Sequence, residues 1–384
     1  MDTEEVLKDF PTTKRVDYLN AASIGLVPNP VIERSTEIET EIAKGGTLAL
    51  DEEKETLIYD GLREEGSKLF SCDSTDIAIF NSTTEALNSF AWSLDLKDDG
   101  KVISTGVEFP SVTYPWLRIA RKENINVKLI TAENWRIPIN VILNEIDENT
   151  KVVVLSHVEY LTGQKFDDDD IKKIAKQVHE IGGLLIVDGI QAAGYLPINV
   201  KELNVDIYIA GSYKWLLAPF GTAIAYVSKD LCDELDPALV GWRSRENMWD
   251  FDALDLSYAS TARKFEYSSS AYSVKLGLAE SIKYLRNIGI KNIYDHNKKL
   301  VDILAEQLNS IKNIDIITPP EDRCSILTFE PTDKDSSAIA QALRKLEKPV
   351  EFSLRLGMIR VSPHIYNTEN DILYFVGHLR QFLR

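Results

Sequence analysis

The sequence contains few cysteines. Only Cys72, Cys232 and Cys324 occur in 384 residues, and they form neither a CxxC pair nor a Cys/His cluster with the spacing of a zinc site. We therefore expect no disulfide framework and no structural metal. A small number of cysteines that are unpaired in sequence suits a reducing compartment, so we expect a cytoplasmic protein.

Long apolar runs and an excess of basic residues are also missing. No apolar segment approaches the roughly 20 residues that span a bilayer, and the acidic start MDTEEVLKDF is unlike a signal or transit peptide. Acidic residues outnumber basic residues by 60 to 43, which gives a formal net charge of −17. Because such a chain repels phosphates and anionic lipids, we expect neither a nucleic acid nor a membrane as a partner.

What the sequence does contain is a regular alternation of short apolar strands and helices between residues 77 and 227. All-apolar strands that alternate with helices predict an α/β fold with a mainly parallel sheet, covered by helices on both faces. After residue 267, two long helices and a different alternation predict a smaller α+β domain. We place a large domain at residues 20–265 and a small domain at residues 1–19 and 266–384.

One lysine lies in a segment with almost no other charge. Lys214 stands between two predicted buried strands in VDIYIAGSYKWLLAPFGTAIAYV, residues 205–227. It can be an ordinary loop lysine whose amine reaches water. It can also be partly desolvated, in which case burial lowers the pKa of its ammonium and leaves a neutral, nucleophilic amine for a Schiff base.

Other polar and aromatic residues follow neighbouring strands, where ligands bind in open α/β sheets. Asn81-Ser82-Thr83-Thr84 opens a helix and offers either an anion site or a simple helix cap. Phe109 could stack on a flat ring, and Asp188 ends an apolar strand. With Lys214, these residues form the set that pyridoxal phosphate needs. A dinucleotide is disfavoured because no GxGxxG turn follows the first strand, and no Walker A loop is present.

Six motifs occur in order along the chain: YLNAASIGLVP, NSTTEALN, SHVEYLTGQ, VDGIQAAG, GSYKWLLAPFG and IRVSPHIYNTENDI. Together they resemble the class V aminotransferase family of fold-type I pyridoxal-phosphate enzymes, over residues 18–384. This family includes cysteine desulfurases, kynureninases and isopenicillin-N epimerase-like proteins. The resemblance implies a homodimer with shared active sites that acts on a small amino acid.

The resemblance also implies residue roles. Lys214 is the Schiff-base lysine, Asp188 pairs with the pyridine nitrogen, and Phe109 stacks on the ring. Gln191 and Tyr160 approach the ring hydroxyl. The expected phosphate ligands are Ser82, Thr83, Thr84, Ser212 and Tyr213, with Trp242 reaching the cofactor of a neighbouring subunit, and the expected substrate ligands are Arg360 and Asn20.

The sequence departs from the desulfurase pattern at one place. Desulfurases carry a nucleophilic cysteine on a loop ahead of the substrate arginine, and the matching stretch here, EKPVEFSLRLGMIR, has none. We therefore favour an epimerase-like or aminotransferase reaction. The alternatives are a cysteine desulfurase/selenocysteine lyase-like or kynureninase-like C–S/C–C lyase, or a non-catalytic binding protein. We expect the specificity surface at residues 20–30, 240–265 and 350–358.

Overall fold

The computed structural model describes residues 3–96 and 100–383. The strands are β1 (Asp17–Tyr18), β2 (Ile77–Phe80), β3 (Lys101–Thr105), β4 (Asn126–Ile130), β5 (Thr150–Ser156), β6 (Leu184–Asp188), β7 (Ile207–Gly211), β8 (Ala223–Val227), β9 (Ile314–Ile316), β10 (Leu327–Pro331), β11 (Val350–Glu351), β12 (Ser353–Arg355) and β13 (Met358–Val361). The α-helices are α1 (Thr3–Leu7), α2 (Asn29–Gly45), α3 (Glu52–Phe70), α4 (Thr83–Ser93), α5 (Pro110–Ile119), α6 (Ile139–Glu145), α7 (Asp168–Glu180), α8 (Val200–Leu203), α9 (Lys229–Glu234), α10 (Tyr272–Ile288), α11 (Ile290–Asn309), α12 (Ser336–Leu343) and α13 (Glu369–Leu383).

The larger sheet has seven strands in the order β2-β8-β7-β6-β5-β3-β4. Neighbouring strands are parallel except β8, which is antiparallel to both β2 and β7. The predicted α/β fold with a mainly parallel sheet is confirmed. The reversal at β8 arises because the chain returns from β7 through the loop 212–222 without a crossover helix.

Both faces of this sheet are buried. Successive side chains of a strand point to opposite faces, so Leu185 and Val187 of β6 pack in one apolar cluster and Ile186 packs in the other. The first cluster includes residues of α3, α7 and α10, and the second includes residues of α4 and α5. Helices therefore cover the sheet on both sides and leave its edges and strand ends for a site.

A second, antiparallel sheet has the order β12-β13-β10-β9 and shares a third core with α11, α12 and α13. Leu19 belongs to this third core, and β1 pairs in parallel with β11. Leu278, Ile282 and Leu285 of α10 instead pack in a core of the large sheet. α10 was assigned to the small domain in the sequence analysis, so the predicted boundary at residues 265 and 266 stays a prediction.

Within residues 3–96 and 100–383, no helix combines the length and apolarity that a membrane crossing requires.

Candidate active site

Lys214 lies in the loop between β7 and β8, and this loop is fixed at both ends. The Ser212 N–H donates to the Thr222 carbonyl at 3.2 Å, which closes the base of the loop. On the other side, the Gly25 N–H donates to the Tyr213 carbonyl at 2.8 Å. A Cβ atom at Gly25 would lie 2.1 Å from the Lys214 carbonyl oxygen, so only glycine permits this close approach. The lysine backbone is thus held by the N-terminal segment as well as by the sheet.

The Lys214 amine is buried and strongly perturbed. Its pKa is lowered from 10.5 to about 7, chiefly by burial and also by repulsion from Arg360 and Arg355, while Asp188 opposes this shift. The Nζ atom lies 5.6 Å from the centre of the Phe109 ring. Of the two interpretations of Lys214, the structure favours the desolvated amine over a loop lysine in water.

Asp188 ends β6 and is buried beside Lys214. Its Oδ1 accepts a 2.9 Å hydrogen bond from the Ile190 N–H. Burial raises the pKa of Asp188 to about 6, and Ile190 and Lys214 limit the rise. The group is therefore mainly ionised at neutral pH and is suited to hold a proton on a basic ring nitrogen.

Gln191, three residues beyond Asp188, is also buried, but its amide has protein partners. Its Nε2 donates to the Ala22 carbonyl at 3.1 Å, and its Oε1 accepts from the Trp215 indole at 2.7 Å. The predicted contact between Gln191 and a ring hydroxyl stays a prediction.

Phe109 and Tyr160 form an aromatic wall beside the lysine. Their ring centres are 5.3 Å apart in an edge-to-face arrangement, and Phe109 is 45% exposed. The preceding residue, Glu108, accepts hydrogen bonds from the backbone and hydroxyl of Ser156. Burial raises the pKa of Glu108 to about 8. Phe109 therefore offers an open ring face on a rigid, buried support.

The predicted phosphate ligands meet at the start of α4. Ser82 caps this helix by accepting from the Glu85 N–H at 3.1 Å, and Thr84 Oγ1 lies 2.8 Å from Ser111 Oγ. In the part of the chain that the structure describes, the buried Thr83 hydroxyl has no hydrogen-bond partner. It borders β7, since a Cβ atom at Gly211 would lie 2.7 Å from Thr83 Oγ1. A helix N-terminus with an unpartnered hydroxyl is suited to bind a phosphate.

Ser212 and Tyr213 already have intramolecular contacts. The Ser212 hydroxyl donates to the Pro219 carbonyl at 2.5 Å. The Tyr213 ring stacks on Phe220, with 4.2 Å between ring centres. These two predicted phosphate ligands lie next to Lys214 in the chain, and their roles stay predictions.

Arg360 is buried and held by three separate acceptors. Its Nε donates to Ser353 Oγ at 3.0 Å, its Nη1 to the Tyr160 carbonyl at 2.6 Å, and its Nη2 to Ser23 Oγ at 2.8 Å. Burial lowers the pKa of Arg360 to about 9, Arg355 lowers it as well, and Glu159 acts in the opposite direction. The guanidinium is therefore fixed in orientation and still charged at neutral pH.

Three residues of this region were not assigned a role from the sequence: Ser23, Arg355 and Glu159. Arg355 Nη2 donates to the same Ser23 hydroxyl at 3.1 Å. Glu159 Oε2 accepts from the N–H groups of Leu161 and Thr162, and burial raises the pKa of Glu159 to about 7. Ser23 and Arg355 lie within the stretches 20–30 and 350–358 that were expected to set specificity, which is the only sequence signal for them.

Asn20 and Trp242 are not in contact with the Lys214 group in the described part of the chain. The Asn20 Nδ2 atom lies 3.5 Å from Glu351 Oε1, and its Oδ1 is buried without a partner among the described residues. Trp242 packs instead on Trp249, with 5.1 Å between ring centres, and near Phe251. Their roles therefore stay predictions.

The residues that the fold brings together fit pyridoxal phosphate. An unpartnered hydroxyl and a helix N-terminus match the phosphate, an exposed aromatic face matches the ring, and a buried aspartate and a buried lysine match its nitrogen and aldehyde. The lysine, the aspartate and the fixed arginine lie close enough for their charges to affect one another.

Among the described residues, no group of three His, Cys, Asp or Glu side chains is arranged to hold a metal ion.

Comparisons with known proteins agree with this chemistry. The aminotransferase class-V family model matches residues 17–375. A probable cysteine desulfurase of Methanothermobacter thermautotrophicus is 28% identical over 97% of this chain and 96% of its own length. The uncharacterized aminotransferase YcbU of Bacillus subtilis is 29% identical over 98% of this chain and 97% of its own.

Solved structures show the same fold. The cystine C–S lyase C-DES, in complex with its reaction product cysteine persulfide, superposes with a TM-score of 0.88 at 22% identity, over 97% of this chain and 99% of that chain. The apo structure of the cysteine desulfurase from Thermococcus onnurineus also gives a TM-score of 0.88 at 22% identity, over 99% of this chain and 98% of that chain.

Proposed function

Because the chain belongs to the class V aminotransferase family, we propose that this pyridoxal-phosphate-dependent enzyme cleaves a carbon–sulfur bond in a small amino acid. The observation that carries the proposal is the placement of Lys214, Asp188 and Arg360 around one site. Asp188 ends β6, Lys214 follows the adjacent strand β7 in the chain, and Arg360 is close enough to lower the pKa of Lys214.

Each of these side chains has a definite task. The bound cofactor withdraws electrons from the substrate and makes the proton on Cα acidic. Asp188 keeps a proton on the ring nitrogen. Arg360 binds the α-carboxylate through its fixed guanidinium. Lys214 accepts the Cα proton as a neutral amine, a form that its pKa of about 7 makes abundant at neutral pH.

The proposed reaction is a β-elimination. The Cα–H and Cβ–S bonds break, the sulfur group leaves and takes up a proton, and water then completes conversion of the carbon skeleton to an oxo acid and ammonia. No oxidant or reductant is required. A cysteine substrate therefore gives pyruvate, ammonia and a thiol or sulfide.

Elimination is favoured over persulfide transfer because none of the three thiols is placed as a nucleophile. Cys324 is fully buried with its sulfur 3.3 Å from the Tyr195 hydroxyl, and Cys232 is buried in the core. Cys72 is half-buried, and burial raises its pKa to about 12. The β12–β13 hairpin before Arg360 contains no cysteine.

The relatives support carbon–sulfur cleavage more than the epimerase-like or aminotransferase reaction that the sequence alone favoured. Several curated relatives, at 26–28% identity, are named as probable cysteine desulfurases. The absent nucleophilic thiol then separates elimination from the sulfur transfer that a desulfurase performs.

Product analysis tests the proposal. We expect purified protein to bind added pyridoxal phosphate, become yellow, and release pyruvate, ammonia and methanethiol from S-methyl-L-cysteine. Lys214→Ala should abolish release, whereas Lys345→Ala, at an exposed lysine far along the chain, should not. A protein that takes up no cofactor, or that releases no thiol from any cysteine derivative, would contradict the proposal.

Transamination is the second candidate, since YcbU is named as an uncharacterized aminotransferase and that reaction needs no thiol. It would give an oxo acid that retains the side-chain sulfur, together with an aminated cofactor. Deuterium exchange at Cα in heavy water, without an oxo acid, would indicate epimerisation instead. The same incubations therefore separate the three reactions.

We also propose a homodimer with shared active sites. Phe251, which packs near Trp242, is 60% exposed, and Leu254 and Leu256 in the following stretch are 98% and 55% exposed. Exposed apolar patches of this kind are typical of protein interfaces. Light scattering of the purified protein should give twice the chain mass, and Leu254→Asp should reduce it. A monomer at micromolar concentration would contradict this proposal.

A cytoplasmic location stays a prediction.

A further inference from the structure

Two guanidinium groups and one lysine amine are collected at a single place in an acidic chain. Arg355 and Arg360 both donate to Ser23 Oγ, at 3.1 and 2.8 Å. Both arginines also lower the pKa of Lys214, so both positive charges act on the same amine. The chain as a whole carries a formal charge of −17. This local excess of positive charge therefore needs a specific explanation.

The two guanidinium charges have no ion-pair partner in the part of the chain that the structure describes. Among residues 3–96 and 100–383, no carboxylate lies within ion-pair distance of either Arg355 or Arg360. Glu159 is the carboxyl group that acts against the lowered pKa of Arg360, and burial raises the pKa of Glu159 itself to about 7. Enclosing like charges without partners is costly. The arrangement is favourable once anionic ligand groups enter the site.

Binding of the substrate α-carboxylate explains why Arg360 is present, but it does not explain Arg355. All three nitrogens of the buried Arg360 are fixed by protein acceptors. Arg355 is only half-buried, and its two contacts are the Leu354 carbonyl of its own strand and Ser23. A guanidinium has five N–H donors, so Arg355 keeps donors for a further acceptor.

The register of the β12–β13 hairpin places the side chains of Arg355 and Arg360 on the same face of the sheet. Ser353 pairs with Arg360, and Arg355 pairs with Met358 next to the two-residue turn. Side chains two apart on a strand share a face, so Arg355 lies on the face of Ser353 and Arg360, one step nearer the turn. A substrate anchored at Arg360 would therefore extend its side chain towards Arg355.

We propose that Arg355 binds a second anionic group of the substrate, a carboxylate at the end of its side chain. The inference rests on the proposed function and makes it specific. The substrate class is an α-amino acid with a sulfur-linked side chain that ends in a carboxylate. Arg360 holds the α-carboxylate, and Arg355 selects the distal one.

A matched pair of substrates isolates the distal charge. S-carboxymethyl-L-cysteine and its amide, S-carbamoylmethyl-L-cysteine, have nearly the same shape and differ by one negative charge. With the holoenzyme, we expect kcat/KM for the acid to exceed that for the amide by about 10- to 100-fold, the effect of a charge-assisted hydrogen-bonded pair. Arg355→Met should reduce this ratio to near one, and Arg355→Lys should give an intermediate ratio.

Arg380→Met provides the control, because Arg380 is half-buried and bonded to Gln307 and Ser310 in a different part of the small sheet domain. It removes the same charge and should leave the acid-to-amide ratio unchanged. If Arg355→Met reduces kcat/KM for acid and amide equally, Arg355 assists the α-carboxylate and the inference is wrong. A wild-type ratio near one would also overturn it.

A binding measurement gives a readout that does not need turnover. Calorimetry on the holoenzyme should show glutarate binding more tightly than butyrate, and Arg355→Met should remove the difference. If the holoenzyme forms but cleaves no carbon–sulfur bond, the proposed function fails while the glutarate result still decides the inference. Equal binding of glutarate and butyrate to wild type would contradict the inference alone.

Discussion

At the scale of single residues, the reactivity of Lys214 depends on burial and on the two arginines beside it. Burial is the larger cause of its lowered pKa, and Arg360 is the next. A lysine pKa that is lowered in the fold leaves the amine neutral above the new value. Arg360, which we propose binds the substrate carboxylate, therefore also helps to keep the Lys214 amine unprotonated.

The first prediction concerns this coupling. In cofactor-free protein, we expect acetylation of Lys214 by a dilute reagent to be half-maximal near pH 7. Removal of the nearby positive charge by Arg360→Met should move this midpoint to higher pH. Mass spectrometry of the labelled peptides measures both midpoints. A midpoint near 10 in wild type would show that the amine is not desolvated.

The second prediction concerns the geometry of Arg360. Arg360→Lys keeps the charge but loses the planar group that contacts Ser353, Tyr160 and Ser23 together. We expect KM for amino acids to rise about 10- to 100-fold, with a smaller change in kcat. Steady-state kinetics beside Arg380→Lys tests this, and equal KM values in all three proteins would exclude a carboxylate role for Arg360.

At the scale of elements, the β12–β13 hairpin positions both arginines through a tight turn. The two turn residues, Leu356 and Gly357, have φ values of 49° and 86°. Positive φ at both central positions is the pattern of a type I′ turn, for which Asn-Gly is strongly preferred. A leucine there is strained, because its Cβ crowds the following carbonyl oxygen.

The third prediction follows from that strain. Leu356 is 74% exposed, so Leu356→Asn should stabilise the protein by about 1 kcal/mol without loss of packing. The matched control is Leu373→Asn, an exposed position of α13, where asparagine should destabilise slightly because of its weaker helix propensity. Denaturant unfolding compares them. Destabilisation by Leu356→Asn would mean that the turn is relaxed with leucine.

Period and composition predicted the alternation of strands and helices between residues 77 and 227, which forms the large sheet and its covering helices. They also predicted the two long helices after residue 267, which are α10 and α11. The antiparallel direction of β8 was not predicted, because an apolar run does not reveal its direction in a sheet. The strand ends still identified Lys214, Asp188 and Phe109 as neighbours, since parallel strands bring their carboxyl ends to one edge.

The contacts of Arg360 and Gln191 depend on packing between segments that are far apart in the sequence. Ser23 contacts Arg360 across 337 residues of sequence, and no local pattern encodes that contact. The Trp215 indole donates a hydrogen bond to the side-chain oxygen of Gln191. The motif alone does not reveal this bond. The pairing of Glu159 with backbone N–H groups is also invisible in sequence, because it depends on the turn that follows β5.

At the scale of the whole molecule, buried carboxyl groups connect stability to pH. Burial raises the pKa of Glu108 to about 8 and that of Asp17 to about 8. A carboxyl group whose pKa is raised in the fold favours the folded state fully at pH values below its unfolded pKa. This contribution is lost as the pH rises through the folded pKa. These two groups should therefore weaken the fold between about pH 4.5 and 8.

The fourth prediction uses a nearly isosteric variant. Glu108→Gln removes the ionisation but keeps the size of the side chain. We expect the melting temperature of the variant, relative to wild type, to improve steadily from pH 5.5 to 8.5. Thermal unfolding at several pH values measures this difference. A constant difference across the range would show that Glu108 is ionised throughout in the folded protein.

The hydrogen bond from Arg360 to Ser23 also determines the order in which the parts of the site form during protein synthesis. Asp188, at the end of β6, and Lys214, in the loop after β7, leave the ribosome well before Arg360. The proposed carboxylate-binding part of the site cannot form until residue 360 emerges and contacts Ser23. We therefore expect a nascent chain to bind its cofactor before it can bind an amino acid, and to become catalytically competent only after residue 360 has been translated.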